Sequence, residues 1–498
     1  MRNITTEERA PGTAPHIPPK KPGERARLVT IFGRIDAEGH RRVCTVRDAG
    51  SVDYVVTEAD AEGPWASVAA REPAASWYER EMQDQYGIEV TRSPDARPLL
   101  LHENWPAGFH PMTDSPAELP ALGSESKSLS RDYRFLQVQG EGVTEVPVGP
   151  VHAGIIEPGH FRFSVVGDRV LHLELRHFYT HKGTERLFQG CPALAGAMLA
   201  ESVSGDNCFA HAVAYCQAVE AAFQVPVPPR ALALRLIGLE LERLVNHIGD
   251  VGALCNDVGF VAGAARGSGF KEALLQGSAR WIGTRYWRAM AIPGGIRKDV
   301  QANETAEFLR VLHKTKAEFA EFSEIVLETP SVQNRFDATG ILKRQVARDL
   351  AVVGPVARAS DVDMDVRRDH PYGLYGNLYL KIPVLHYGDV MARARIRIEE
   401  ADFSASLIDE TLGALPGGPI CARFDSTGRA RGYSAVESPR GELFYWVEIH
   451  NGTITRCHIK SPSFQNWPAL PFAVIGNVIA DFPLINKSFN LSYSGCDR

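Results

Sequence analysis

The segment Glu201–Tyr215, ESVSGDNCFAHAVAY, joins a loop of small and polar residues to an apolar stretch typical of a buried helix. Two residues of the loop have side chains that can do chemistry. Asp206 can hold or transfer a proton, and Cys208 carries a soft thiol of the kind that binds transition metals. A second such thiol, Cys496, lies in NLSYSGCDR. The loop therefore has the composition of a segment that holds a ligand.

The spacing of the cysteines gives no recognisable metal motif. None of the eight forms a CxxC pair, and no iron–sulfur cluster motif is present. In a large chain whose first residues do not resemble a secretory signal, most are expected to be buried free thiols rather than disulfides. The cysteines are Cys44, Cys191, Cys208, Cys216, Cys255, Cys421, Cys457 and Cys496.

Composition is that of an ordinary globular protein of roughly two to four domains, with 498 residues, 44% of them hydrophobic and 23% charged. The net charge of −6 offers no basic face for nucleic acid. The most apolar stretch, Pro468–Ile485, carries three prolines, Asn477 and Asp481, so we expect a core segment rather than a membrane span. Residues 1–25 are polar and rich in proline and are predicted to be a disordered tail.

Hydrophobic periodicity predicts the elements that must position these residues. The run Arg27–Asp48 alternates as strands do, and Trp77–Val90 has helical spacing with a stop at Gly87. The polar stretch 112–145 is predicted to be a linker. Beyond it we predict a hairpin over Phe161–Leu175, a hairpin turn at Asn451-Gly452, and helices over Ala231–Leu254, Glu304–His313 and Lys316–Leu327.

Several motifs occur in an order that resembles one protein family. WYEREMQDQYGI, followed by Pro94-Asp95, resembles the small peripheral-arm subunit of respiratory complex I. GPVHAGIIEPGHFRF, HFYTHKGTERLFQG, LIGLELERLVNHIGDVGAL and ESPRGELFYWV resemble its large partner subunit and the large subunit of membrane-bound group 4 [NiFe]-hydrogenases. A fusion of the two in one chain is similar to the large subunits of hydrogenase-4 and formate hydrogenlyase. The resemblance covers about residues 30–498.

This resemblance implies an α+β fold in two modules. The first is an α/β domain like the small complex I subunit, over residues 26–111. The second, over residues 146–498, is a large helical-bundle domain flanked by small antiparallel sheets, as in the [NiFe]-hydrogenase large subunit.

In hydrogenases of this family, four cysteines hold nickel and iron, because low-valent metals need soft ligands. Alignment on the FAH motif and on the closing Asp-Arg pair puts other residues at all four positions: Ser204, Asn207, Ser492 and Gly495. The resemblance therefore implies that this chain binds no metal and has no Ni–Fe centre. Hydrogenases of this family often carry a C-terminal tail that is removed after nickel insertion. A protein that never receives nickel is expected to lack this tail.

Cys208 and Cys496 each lie one residue after one of these positions. One interpretation is a shifted two-thiolate metal site or a redox pair. The other is two packed thiols, which we favour because two thiolates are too few for a standard site and a one-residue shift turns a helical side chain by about 100°.

The quinone-binding tyrosine of complex I corresponds by the same alignment to Gly205, and its quinone-side histidine, aligned on Arg162, corresponds to Pro158, so this pair is also replaced. His160 could take the place of the histidine. Glu157 lies where hydrogenases have a proton-transferring carboxylate, and a structural cap or salt bridge is the alternative of similar weight.

Asp206 and Arg440 complete the candidate catalytic set, with Glu157 and His160. Asp206 could bind a substrate proton or cap the helix that follows, and capping is the simpler interpretation. Arg440 matches an arginine that contacts the cavity in both relatives and suits an anion or a polar headgroup. A structural ion pair with Glu437 or Glu442 is the alternative.

Other polar residues are expected to be structural. His181 and the run Arg367-Arg368-Asp369-His370 lie in regions that the family packs against its small iron–sulfur subunit, with solvated charges as the alternative for the arginines. His211 and His247, on apolar helices, are predicted to be hydrogen-bonded core histidines.

The resemblance implies a large subunit of a complex I-like or hydrogenase-4-like oxidoreductase, peripheral on the cytoplasmic side of the cell membrane. Its expected partners are a small iron–sulfur subunit, which would supply the electrons, and antiporter-like and other membrane subunits. The acceptor would be a quinone or an unidentified molecule, and no cofactor is expected on the chain itself. The alternatives are a non-catalytic scaffold and, with least support, an active [NiFe]-hydrogenase.

Overall fold

The computed structural model describes residues 8–9, 26–51, 53–103, 105–106, 108–115, 117, 133–153 and 156–498. Of the predicted tail, only Glu8–Arg9 lies in these ranges, as a short strand, β1. Most of the predicted linker lies outside them. Its described end is fixed to the second module, because the Tyr133 hydroxyl and the Leu136 backbone N–H both donate to the Glu174 carboxylate, each at 2.8 Å.

The N-terminal module is a four-stranded sheet in the order β1-β4-β3-β2, with one helix, α1, against β2. Strand β2 is buried on both faces, since Leu28 and Ile31 pack into one core and Val29 and Phe32 into the other. Helix α1 ends at Gly87 with φ +64°, as predicted. The elements are β2 (Arg27–Ile35), β3 (Arg41–Asp48), β4 (Val55–Asp60), β5 (Trp65–Ala66), α1 (Ser76–Tyr86) and β6 (Val90–Thr91).

The second module opens with a three-stranded antiparallel sheet: β7 (Val143–Val148), β8 (His160–Val166) and β9 (Arg169–Arg176). Strands β8 and β9 are the predicted hairpin, and the turn contains Gly167 at φ +60°. Short helices and α4 follow, and α4 starts directly after the loop of interest: α2 (Thr184–Phe188), α3 (Ala197–Ala200) and α4 (Cys208–Phe223).

A helical bundle forms the centre of the second module. Helix α5 (Pro229–Asp257) packs between α6 (Val261–Ile282) and α12 (Val390–Gly413), and α6 also packs on α7 (Ala302–Glu328). The two helices predicted over Glu304–Leu327 are one continuous helix, because no breaker separates them. The remaining elements are β10 (Ala291–Ile292), β11 (Gly295–Ile296), α8 (Pro330–Phe336), α9 (Arg344–Asp349), α10 (Gly354–Ala359) and α11 (Val366–Asp369).

The last sheet contacts both modules. It is an antiparallel meander of β12 (Arg429–Ser438), β13 (Gly441–His450) and β14 (Thr453–Lys460), with the predicted turn at Asn451-Gly452. Four short helices follow: α13 (Pro462–Asn466), α14 (Leu470–Val474), α15 (Phe482–Phe489) and α16 (Tyr493–Asp497). In the described part of the chain, no helix is both long and apolar enough to cross a membrane. The predicted α+β class, a bundle flanked by small antiparallel sheets, is confirmed.

Candidate functional site

Two loops that are 288 residues apart in sequence meet at the candidate site. The hydroxyl oxygens of Ser204, before α4, and Ser492, before α16, lie 3.0 Å apart. The Ser492 backbone is held in turn, since its N–H donates to the Ser463 hydroxyl at 2.9 Å. The two segments that the alignment matched to the metal-binding loops of hydrogenases therefore come together in this fold.

The side chains at the four matched positions do not fit a Ni–Fe centre. The Ser492 hydroxyl accepts the Gly495 N–H at 2.9 Å, and the Ser204 hydroxyl donates to Asp206 at 3.0 Å. Asn207 is buried, and its side-chain oxygen has no hydrogen-bond partner among the described residues. Two hydroxyls, one amide and a glycine offer no thiolate, and thiolates are what low-valent nickel and iron require.

The neighbouring thiols, Cys208 and Cys496, are buried. The Cys208 thiol donates to the Tyr286 carbonyl at 3.4 Å, and burial raises the pKa of Cys208 and of Cys496. Within the described ranges, no three His, Cys, Asp or Glu side chains are grouped so that they could hold a metal ion. This geometry fits the interpretation of both cysteines as packed thiols.

Asp206 and Arg440 form the charged part of the site. One Arg440 nitrogen, Nη2, donates to the Asp206 carboxylate, and Nε donates to the Asn490 carbonyl. Burial acts to raise the pKa of Asp206, but the Arg440 guanidinium outweighs it, so the pKa lies below its usual value. The Asp206 side chain keeps 44% of its area exposed, whereas Arg440 is buried. The ion pair of Arg440 is thus with Asp206, and not with Glu437 or Glu442.

The third Arg440 nitrogen, Nη1, is buried and has no hydrogen-bond partner among the described residues. An unpaired donor on a buried guanidinium is costly unless a ligand or an ordered water completes it. Together with the unpaired Asn207 oxygen, it gives the site one free donor and one free acceptor.

The expected capping role of Asp206 is wrong. Two backbone N–H groups of the first turn of α4, those of Phe209 and Ala210, donate to the Glu242 carboxylate of α5 at 2.7 and 3.0 Å, and Asp206 makes no side-chain cap. Burial raises the pKa of Glu242 to about 8. Asn246, one turn farther along α5, donates to the Asp206 carbonyl at 2.7 Å. Sequence reasoning missed both residues, because their only signal was polarity, which they share with Arg235, Glu240 and Arg243 of the same helix.

Glu157 contacts the edge of the site at α16. Its carboxylate accepts the Ser494 N–H at 2.7 Å. Lys182 lies beside it: its ammonium group donates to the Ser494 hydroxyl at 2.5 Å and to the Ser202 and Val203 carbonyls at 3.0 Å each. Glu157 therefore makes a structural contact at the edge of the two loops, next to a lysine that sequence reasoning did not single out.

His160 is placed differently. Its ring packs against Phe135, with centroids 5.1 Å apart, and Nδ1 lies 3.2 Å from the Gly149 carbonyl. None of its described contacts is with Asp206 or Arg440. Gly205 is exposed, and the nearest side chain to a Cβ built there would be Arg288, at 3.8 Å. The position aligned with the tyrosine of complex I is thus a glycine in this chain, and Arg288 is its neighbouring side chain.

The residues expected to be structural make hydrogen bonds, ion pairs or ring contacts within the chain. His211 Nδ1 lies 2.7 Å from the Tyr445 hydroxyl, and His247 Nε2 lies 2.9 Å from Glu400. Buried Arg367 pairs with Asp365 at 2.8 Å. His370 stacks on Tyr54, Arg368 pairs with Asp363, and His181 bonds to the Asp497 carbonyl and to Gln85. Contact with a small iron–sulfur subunit stays a prediction.

The fold and the sequence together define the class of the protein. Residues 257–429 and 426–498 match the family model described as "Respiratory-chain NADH dehydrogenase, 49 Kd subunit". Residues 20–117 match the model described as "Respiratory-chain NADH dehydrogenase, 30 Kd subunit". The chain therefore joins, in one polypeptide, regions related to two subunits of respiratory NADH dehydrogenase.

More specifically, the chain belongs to the family of hydrogenase-4 component G and formate hydrogenlyase subunit 5. Component G of Escherichia coli (strain K12) is 34% identical, over 87% of this chain and 75% of the relative. Subunit 5 of the same strain is 33% identical, over 95% and 84%. The C/D subunit of NADH-quinone oxidoreductase from Bacteroides fragilis is 26% identical, over 85% and 83%.

A solved structure supports this family assignment. A chain of the membrane-bound sulfane sulfur reductase, described as an archaeal respiratory membrane complex, superposes with a TM-score of 0.67 at 25% sequence identity. The match covers 72% of this chain and 99% of that chain. The comparisons thus relate this chain to proteins named for a hydrogenase, a formate hydrogenlyase, an NADH-quinone oxidoreductase and a sulfane sulfur reductase.

Proposed function

We propose that this chain is the large subunit of a membrane-associated redox complex that works without a Ni–Fe centre. The observation that carries the proposal is the replacement of all four expected thiolates by Ser204, Asn207, Ser492 and Gly495, within a fold that still brings the two loops together. Electrons would come from an iron–sulfur cluster in a partner subunit, because the sequence has no cluster motif of its own.

The acceptor would bind beside Arg440. A quinone carbonyl becomes more negative as it gains electrons, and a guanidinium N–H bonds more strongly to an anionic oxygen than to a neutral one. Arg440 is suited to this role, since Asp206 and the Asn490 carbonyl hold its Nη2 and Nε while Nη1 has no described partner. Exposed Asp206 could exchange protons with solvent.

The alternative of a non-catalytic scaffold predicts a site closed by apolar side chains. The two loops instead present hydroxyls, a carboxylate and unpaired polar atoms, which favours a ligand-binding role. As partners we propose a small iron–sulfur subunit and antiporter-like membrane subunits, with this chain peripheral on the cytoplasmic side of the membrane. The relatives are named as components or subunits of larger assemblies, and one matching structure is described as a membrane complex, which supports the presence of partner subunits at a membrane.

Binding of a short-chain quinone to the purified complex tests the proposal. Arg440→Lys keeps the positive charge but loses the fork geometry. Loss of one charge-assisted hydrogen bond, about 1.5–3 kcal/mol, predicts an increase in Kd of about 10- to 150-fold. Arg431→Lys is the matched control, because Arg431 is partly exposed and pairs with Glu58 and Glu448.

An unchanged quinone Kd in Arg440→Lys, with the complex intact by size-exclusion chromatography, would contradict this assignment of the binding site. If the unaltered complex does not bind quinone at all, the scaffold alternative takes its place. Both results are distinct from a failure of assembly, which the chromatography reports.

A further inference from the structure

A network of buried charges lies behind the candidate site, between α5, α10, α11, α12 and β12. Each member is at most 2% exposed. The basic members are three arginines and the acidic members are four carboxylates: Arg243, Arg358 and Arg367, with Glu240, Asp365, Glu400 and Glu437. Among the described residues, two further titratable groups bond to network carboxylates. The Tyr375 hydroxyl donates to Glu240, and His247 Nε2 lies 2.9 Å from Glu400.

The network has one carboxylate more than it has guanidiniums. An unbalanced negative charge is expensive in a buried environment of low dielectric constant, and a proton on one member would restore neutrality. His247 is poorly suited to carry it. Its Nε2 lies 2.9 Å from Glu400, but Nδ1 is buried without a described partner, so protonation would leave an unpaired N–H. Burial also lowers the pKa of His247.

Three of the four carboxylates are well compensated. Glu240 accepts from Arg243, Arg367, the Tyr375 hydroxyl and the Ser404 hydroxyl. Asp365 makes a two-bond contact with Arg367 at 2.8 and 2.9 Å. Glu400 accepts two Arg358 nitrogens at 2.6 and 3.0 Å. All three pKa values lie below their ordinary values despite burial, because of these guanidiniums.

Glu437 is the exception. It accepts a single guanidinium nitrogen, Nη1 of Arg358 at 3.0 Å, and the Val366 N–H at 3.2 Å. Burial and the nearby Asp365 charge raise its pKa to about 7. Titratable groups on the packed elements surround it: Arg243 of α5, Arg358 of α10, Asp365 and Arg367 at α11, Tyr372, Glu442 of β13 and Lys460 of β14. Glu400 of α12 shares Arg358 with it. Lys460 is itself held by Glu442 at 2.5 Å.

We propose that Glu437 is a proton-binding site that takes up one proton from solvent near neutral pH and so neutralises the buried network. The step adds one proton to one carboxylate oxygen and changes the network from one net negative charge to none. It needs neither a metal nor an electron acceptor.

The position of Glu437 links this proton to the candidate site. Glu437 is the last residue but one of β12 and lies three residues before Arg440. Arg243 holds the turn between them by donating to the Glu437 and Ser438 carbonyls at 2.6 and 3.0 Å. The Arg440 N–H donates to the Ser438 hydroxyl at 3.3 Å. If an acceptor is reduced beside Arg440, as proposed above, the added negative charge would favour protonation of Glu437.

Infrared spectroscopy of the full chain, without any acceptor, tests the proton site separately from the proposed function. A protonated carboxyl group has a carbonyl stretch that an ionised one lacks. We expect this signal to grow as the pH falls from about 8 to about 6, and we expect part of that growth to be missing in Glu437→Gln. Glu242 and Asp497 also have raised pKa values, so the difference between the two proteins is the quantity to measure.

Glu448→Gln is the control, because Glu448 of β13 lies outside the network, the Arg429 and Arg431 guanidiniums lower its pKa, and its replacement should leave the Glu437 signal in place. A carbonyl signal in Glu437→Gln identical to that of the unaltered chain would overturn the proposal. If Glu437→Gln does not fold, Glu437→Asp keeps a carboxyl group and should shift the frequency of the signal. An unshifted signal in that variant would also overturn it.

Discussion

Glu442→Gln should loosen the contact between the two modules. Glu442, fully buried on β13, accepts Arg27 of the N-terminal module at 2.8 and 2.9 Å and the Tyr54 hydroxyl at 2.7 Å. On its other side it accepts Lys460, which is also fully buried, at 2.5 Å. Removing the Glu442 charge leaves Lys460 without a counter-ion.

The magnitude follows from the burial of both partners. Breaking a buried ion pair by removing one member costs about 3–5 kcal/mol. The lower end applies here, because burial already lowers the pKa of Lys460 and the lysine can lose its proton in the variant. With an unfolding entropy of about 2.1 cal/mol/K per residue, 498 residues give about 1 kcal/mol per °C, so we expect Tm to fall by about 3 °C.

Differential scanning calorimetry of the full chain measures this shift, and Glu272→Gln is the control. Glu272 pairs with Arg285 at 2.6 Å, but the two side chains are 46% and 42% exposed. That control should lower Tm by less than about 1.5 °C. An equal shift in the two variants, or none in Glu442→Gln, would refute the argument that burial sets the cost.

Two further predictions follow from the titration of buried groups. Because the pKa of Glu437 is raised from 4.5 to about 7, the native chain holds more protons than the unfolded one between these values, and stability should fall by about 3 kcal/mol as pH rises from about 4.5 to about 7. Urea titrations should show that Glu437→Gln lacks this component, and an identical slope would contradict it. Cys208 and Cys496 should resist iodoacetamide until the chain unfolds, whereas partly exposed Cys191 and Cys421 should react first, as mass spectrometry can show. Modification of Cys208 in the native chain at the rate of Cys191 would contradict the packed-thiol interpretation.

Regular elements could be predicted from the sequence because their signals are local. The stop of α1 at Gly87 needs a left-handed residue, which glycine supplies, and the hairpin turn at Asn451-Gly452 is equally local. The broad apolar stripe of α5 likewise indicated a central helix. The division of Glu304–Leu327 into two helices was wrong because charged residues on an exposed face do not interrupt a helix.

The candidate site was only partly predictable. Alignment placed Ser204 and Ser492 together, and the 3.0 Å contact agrees with it. The cap of α4 could not be found in the same way, since Glu242 reaches it from another helix more than 30 residues away in sequence. The pairing of Arg440 with Asp206 could not be predicted for the same reason, since the two residues are 234 positions apart in the sequence.

Nickel content tests the central claim most directly. We predict that the purified complex, measured by inductively coupled plasma mass spectrometry, contains far less than one nickel per copy of this chain, because no thiolate stands at Ser204, Asn207, Ser492 or Gly495. About one nickel per chain, lost in Cys208→Ser and in Cys496→Ser, would contradict this claim and would establish the shifted two-thiolate site instead.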